Sequence, residues 1–578
     1  MATSNGEKAV LLFQRAFSGV SLVRFAVILA AFSLLFSLSC VAGGVIVQSE
    51  EVSAVAALRW LGLAGVSFVC FSVVAAAFRL LSVFLAERKG GSDDAGKWHP
   101  LALSFAVIWL CYLFFFLLYY PGCTSTDSDD VLKMALGLPF ESDHFRYDSL
   151  NNHHPVAFVA LVSLFTRLGA AVADVEFGVA LYSLFQMTAV ALACAYCARW
   201  VYRRSGRKAA FFACLVFFVL NPLIARYAVT LWKDVLFAAA LLVFSIASFE
   251  VLRTRGRWLT EKRHAVLYGA ALILTVLFRN NGIFVVAAML TVTLLLCWRD
   301  GRKKAIFGIG GGGCLAFVLV FQTIGFGVLD VSSGHFSESV SIPLQQMARS
   351  IVEEGKITDE QADFIQNILP LDRIEELYRP DTPNALKFAP DFNDEFLDGH
   401  KVEFLLVWFQ MMPANAESYL AAWLNETVGY WYVGMESWLV TDPGYFLSEP
   451  SQAVPGHSLL PFEVGPDSIF HGYRPTDILQ EAVPPLCNAA SLSWLAVFAL
   501  VVQVCFRRKM TVGALVPFVV FWATFLIAAP ISNEFRYFFA LHLAVPFVLA
   551  CLLWPIDEGV RSLGKEAAPN AVRAGGAA

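Results

Sequence analysis

LALSFAVIWLCYLFFFLLYY, residues 101–120, runs uncharged and then breaks into PGCTSTDSDDVLKMALGLPFESDHFRYDSLNNHHP, residues 121–155. The first stretch is long and apolar enough to cross a bilayer. The second sets Asp127, Asp129 and Asp130 within about one helical turn of one another, shortly after the exit. It closes on His153-His154-Pro155, just before the apolar Val156-Ala157-Phe158.

The same alternation fills the chain. Of its 578 residues, 58% are hydrophobic and only 15% charged, with mean hydropathy +0.63. A soluble domain carries nearer a quarter charged residues, so the composition specifies an all-α polytopic membrane protein. Apolar runs fall at 25–48, 59–86, 101–120, 176–199, 209–227, 234–252, 305–328, 488–506, 511–530 and 537–555. The run from His264 to Trp298 is twice a span long and is interrupted by Arg279-Asn280-Asn281-Gly282. Read as two, it brings the expectation to about twelve transmembrane helices. Phe25–Val47 reads as a retained first span rather than a cleaved signal.

Charge divides the chain. Asp330–Cys487 holds 25 acids and 7 bases, whereas the whole chain is only −5, so the remainder is +13. An acidic insertion on a basic membrane body places the two on opposite sides of the bilayer. Three regions follow: 1–329, about nine spans with the outer loop 121–155; 330–487, an acidic, mostly helical extracytoplasmic domain; and 488–578, three spans and a tail. The basic loops Arg88-Lys89, Arg203–Lys208, Arg253–Arg263, Arg299–Lys304 and Arg507–Lys509 are expected in the cytoplasm, as are both termini. Glu50-Glu51, the 121–155 loop, Lys233-Asp234, Arg279–Gly282 and Ser532–Arg536 then face outward. Letting 156–171 cross would put Arg203–Lys208 outside, so that stretch reads as a re-entrant or interface-lying helix. Prolines and glycines between Asp442 and Pro485 predict an irregular cover.

Ten of the twelve cysteines sit in apolar runs as small hydrophobes; pairing of the other two, Cys123 and Cys487, stays open. Gly310–Gly313 lacks the strand–loop–helix setting of a phosphate loop, and no Walker or dinucleotide fingerprint occurs. Neither ATP, a nucleotide sugar nor nucleic acid is an expected partner; the bilayer is.

The unusual polar groups gather on the outward side, where ionisable residues at membrane depth tend to line pathways or sites. Each also has a plain structural reading. The acids suit a solvated loop with a helix cap, and Lys233-Asp234 an interfacial ion pair. Asn280-Asn281-Gly282 suits a turn, and His154 a helix start. As a site, a carboxylate among the three acids takes a proton from an attacking hydroxyl. Lys233 and the planar fork of Arg279 suit a phosphate. Asp234 positions an acceptor or a divalent metal ion.

Pro121-Gly122 with Asp127-Ser128, His154-Pro155, Lys233-Asp234, Arg279-Asn280-Asn281-Gly282 and Ser341-Ile342-Pro343-Leu344-Gln345-Gln346-Met347-Ala348-Arg349 resemble an uncharacterised family of bacterial polytopic membrane proteins. The resemblance runs from about residue 100 to 555, and that family is in turn similar to the GT-C membrane glycosyltransferases. It implies a bacterial plasma-membrane enzyme that moves a sugar from a polyprenyl-phosphate donor to a cell-envelope acceptor at the outer leaflet. By position, Asp127 matches the first-loop acid of that class and Asp234 a second acid, although Asp129 and Asp130 compete with Asp127. Around them, His154, Lys233, Arg279, Asn280, Asn281, Arg536 and Tyr537 are the expected substrate contacts, with Gln345, Gln346 and Arg349 closing the site from above. The rival expectation is a transporter or flippase of lipid-linked saccharides. It needs paired broken helices, and the sequence offers one break.

Overall fold

The computed structural model describes residues 5–48, 54–87, 99–124, 126–138, 140–142, 145–147, 150–297, 301–329, 331–332, 334–439, 458–461, 474–528 and 531–556. The expectations for Glu50-Glu51, Arg88-Lys89, Arg299-Asp300, most of the cover between Asp442 and Pro485, and the C-terminal tail lie outside these residues.

Among the described residues the chain is helical apart from one hairpin, Phe140–Ser142 paired antiparallel with Phe145–Tyr147. Seven helices among the described residues are long and apolar enough to cross a membrane, or nine if each of two bent pairs counts as one crossing. The protein is therefore a helical membrane protein. The count falls short of twelve for a physical reason. Three expected crossings fall on Lys262–Leu277, Gly282–Cys297 and Ala489–Cys505, helices of 16 or 17 residues. A fully spanning helix takes about 20 residues.

At the centre of the bundle is Lys233–Thr254. A helix apolar on every side is stable only when covered on every side, and here nearly the whole length from Asp234 to Leu252 is buried. At the periphery, Leu22–Gln48 and Ala54–Glu87 leave residues such as Leu35, Leu58 and Val73 exposed. That pattern suits a lipid-facing surface.

The central helix also fixes the two ends of the molecule. At its C-terminal end, Glu250 accepts from Trp200 Nε1 at 2.9 Å. Nearby, Arg204 on the Trp200 helix donates to the carbonyl of Trp554 at 3.0 Å, and Arg207, just beyond that helix, to that of Leu85 at 3.4 Å. At its N-terminal end stand Lys233 and Asp234. One end of the bundle is thus basic, and the opposite end carries the unusual polar groups.

Val156–Val172 begins beside Lys233 and returns to Val175–Ser205, with Gly169 packed against the backbone of Gly178. Val175–Ser205 alone carries the chain to the basic end, so both ends of Val156–Val172 stay at the polar end.

Between Phe336 and Thr427 eight short helices pack around a separate apolar core that includes Leu344, Met347, Ile365, Leu397 and Phe404. Thr358 and Gln361 form a reciprocal capping box there. All twelve cysteines are free, with Cys123 and Cys487 both buried.

Candidate functional site

A cavity of about 660 Å³ opens at the polar end, between the bundle and the separate helical layer. Its construction begins in the loop quoted at the outset. Cys123 N–H donates to Val229 O at 2.8 Å, and Leu231 N–H returns a bond to Cys123 O at 2.8 Å. Ser128 Oγ donates to Leu231 O at 2.8 Å. These bonds fasten the start of the Thr126–Leu136 helix to the segment that leads into Lys233. Asp127 consequently shares the cavity wall with Lys233.

The three acids of this helix separate. Asp129 pairs with Lys133 at 2.7 Å, one helical turn on. Asp130 lines the cavity. Asp127 lines it too and accepts from Arg536 Nη1 at 2.7 Å. Burial opposes ionisation of Asp127, but Arg536 and then Lys233 outweigh it and hold its carboxyl well below the usual range.

Arg536 is shared. Its Nε lies 3.6 Å from Glu534, its Nη2 is 3.5 Å from Tyr537 Oη, and its guanidinium sits 5.5 Å from the Trp232 ring. Burial pushes the Glu534 carboxyl up to about 7 even with Arg536 beside it. This stretch is held in place by Trp438, which donates to Asn533 O at 2.7 Å and accepts from Phe535 N–H at 3.2 Å.

Lys233 donates to His154 Nδ1 at 3.2 Å and to His153 O at 3.5 Å. Burial first, and then Lys233, push the His154 pKa well down. His154 is therefore a neutral acceptor that aims the lysine, and it sits behind the wall rather than on it. His153 is on the wall.

Arg279 occupies the break between two short helices. It pairs with Asp234, donates to Asn281 Oδ1 at 3.0 Å and lies 4.8 Å over the Tyr537 ring. Asn281 in turn donates to Thr524 Oγ1 at 3.0 Å. Gly282 makes this break fit: a Cβ there would stand 2.1 Å from the carbonyl oxygen of Thr275. Arg279, Asn280, Asn281 and Tyr537 all line the cavity.

The roof comes from the helical layer. Gly334, His335, Glu338, Ser339, Asn384 and Phe388 close over the polar floor. Lys387, only 1% exposed, pairs with Glu338 at 2.8 Å. None of these roof residues stood out in the sequence, because a charge in a polar segment is no anomaly. They became visible only through long-range packing.

Several expected contacts lie elsewhere. Gln345 donates to Arg379 O at 2.7 Å, and Gln346 to Tyr419 O at 3.0 Å while accepting from Trp408. Arg349 pairs with Glu353 at 2.8 Å. The three stabilise the helical layer from within and do not line the cavity. Asp234 is buried beneath the floor and paired with Arg279, so it does not line the cavity where an acceptor or metal would bind. Among the described residues no three His, Cys, Asp or Glu side chains gather as a metal set. Asp127 and Asp234 are each paired with an arginine.

A larger groove of about 910 Å³ lies elsewhere, lined by Phe32, Phe36, Phe71, Trp494 and Phe498 with acids at one side. It lacks the opposed acids and cations that mark the polar cavity, which is the better candidate for chemistry.

Fold and cavity together define a helical membrane protein with a roofed, mixed-charge chamber at one end of its bundle. The chain belongs to the family of unknown function DUF6020, which matches residues 146–566. Asp127 precedes the matched residues; Lys233, Arg279 and Arg536 fall within them. No curated protein matches the chain.

Proposed function

We propose that the protein is a GT-C-like glycosyltransferase of the bacterial plasma membrane. In this reading the three helices of 16 or 17 residues also cross, giving about twelve crossings, with the basic end and both termini in the cytoplasm and the 330–487 domain outside. The observation that carries it is the placement of Asp127, Lys233, Arg279 and Arg536 on the wall of one chamber at the end of a membrane bundle. Three cations around a carboxylate suit a substrate that bears both a phosphate and a hydroxyl.

The acceptor hydroxyl attacks the anomeric carbon of a polyprenyl-phosphate-linked sugar. A new carbon–oxygen bond forms as the bond from that carbon to the phosphate oxygen breaks, its electron pair leaving with the phosphate. The hydroxyl proton passes to Asp127. Arg279 and Lys233 stabilise the departing phosphate through preorganised charge, commonly the largest single contribution to such catalysis. Asp234 acts through Arg279, as a positioning residue.

At rest Asp127 is a weak base, because Arg536 neutralises it. A donor phosphate drawing on Arg536 shares that charge and returns basicity to Asp127 when the substrate is in place. Glu534 behind Arg536 keeps the guanidinium aimed as its partner changes.

The test is to incubate the purified protein, reconstituted in liposomes, with labelled polyprenyl-phosphate sugar and an acceptor fraction from the cell envelope. Release of polyprenyl phosphate with transfer of the label is expected. Movement of intact donor across the bilayer without turnover would establish the flippase instead.

A further inference from the structure

We propose that the basic end of the bundle carries a binding site for an anionic phospholipid, separate from the polar chamber. A second cavity, of about 510 Å³, lies there between the Gly282–Cys297 and Lys509–Ile527 helices, against the end of Ala489–Cys505. Its walls fall into two zones. Leu295, Leu296, Val512 and Val516 make an apolar trough. Arg24, Arg507, Arg508 and Lys509 supply four positive charges, and no acid is among the described lining residues. The polar chamber, in contrast, balances its cations with Asp127, Asp130 and Glu338.

The trough is open towards the bilayer: Leu295 is 67% exposed. Gly513 sets its floor, since a Cβ there would meet Leu296 Cδ1 at 2.8 Å, and its absence lets the two helices close up. Two of the basic residues are anchored by their surroundings. Arg24 donates to Val504 O at 3.1 Å, and Arg508 to Gln503 Oε1 at 3.4 Å. Arg507 and Lys509 are exposed beside them.

Depth is fixed by a neighbouring helix. Asn5–Phe17 exposes apolar Val10, Leu11 and Phe13 on a helix that also carries Glu7, Lys8 and Arg15. Such a helix lies in the plane of the membrane surface. Its last residue, Phe17, has its ring 6.3 Å from that of Phe506, the residue before Arg507. The four cations therefore sit at headgroup level and the trough at acyl-chain level, the arrangement by which basic pockets between helices hold anionic lipid. A phosphodiester on Arg507 and Lys509, with one acyl chain along Leu295 and Val516, satisfies both zones.

Native mass spectrometry of the full-length protein in detergent tests this by titration with phosphatidylglycerol, and with phosphatidylcholine of the same acyl chains. Each basic side chain near a headgroup contributes about 1 kcal/mol, or roughly fivefold in affinity. The Arg507→Ala/Lys509→Ala double variant is expected to lose roughly 25-fold for phosphatidylglycerol, with binding of phosphatidylcholine unchanged. Val516→Trp, which fills the trough and leaves the charges, is expected to weaken phosphatidylglycerol binding as well. Equal binding of the two lipids by the wild type, or an unaltered phosphatidylglycerol affinity in the double variant, would overturn the proposal. So would competition by glycerol phosphate at the lipid's own concentration, which would mark a plain anion site.

Discussion

Glu426 is a buried carboxyl group that ties stability to pH. It is fully enclosed in the helical layer, and burial pushes its carboxyl up to about 8. The unfolded chain releases this proton near 4.5, the folded chain only near 8. Between those values the unfolded state binds fewer protons, so stability falls as pH rises through the window and levels off above it. The loss is bounded by roughly 5 kcal/mol. Glu426→Gln should flatten the curve of melting temperature against pH between 5 and 8, measured in detergent; a variant as pH-sensitive as the wild type would refute the assignment. Arg536 gives a second prediction. Arg536→Lys keeps the charge but loses the fork that reaches Asp127, Glu534 and Tyr537 together. Donor turnover should fall about 10- to 100-fold, on the scale of one preorganised electrostatic donor, with little change in melting temperature.

Among the elements, the break at 278–281 matters most, because it lowers Arg279 onto Asp234 beside Tyr537. Gly282→Ala drives a methyl group into Thr275 O and should cost roughly 1–3 kcal/mol. Turnover should fall further than stability alone accounts for, since Arg279 moves with the break; a variant that is stable and fully active would show the close approach to be dispensable. This break was legible in the sequence because Arg-Asn-Asn-Gly interrupts an apolar run. Asp127, Lys233 and Arg536 were legible for the same reason: charge beside a membrane exit is conspicuous. The helix Ser341–Val352 misled for the opposite reason. Its polar Gln345 and Gln346 lie on the buried side, where they bond to backbone carbonyls of neighbouring segments, and sequence spacing does not reveal which surface a polar side chain faces. Glu338 and Lys387 meet across 49 residues of chain, a pairing with no local signature.

At the scale of the whole molecule, the proposed orientation puts the helical layer outside the cell and the basic end within. Asp363 is exposed on the layer and Lys262 at the basic end. Asp363→Cys should react with a membrane-impermeant maleimide in intact cells, and Lys262→Cys only after permeabilisation. The background is favourable, as Cys70 alone of the twelve native cysteines is exposed. The reverse pattern would invert the topology and put the chamber in the cytoplasm. The central claim is that the chamber transfers a sugar with Asp127 as base. Its most direct measurement is the rate at which the reconstituted protein releases polyprenyl phosphate from labelled donor, wild type against Asp127→Asn. Loss of the base should lower that rate by about 100-fold or more while donor still binds; an undiminished rate in Asp127→Asn would contradict it.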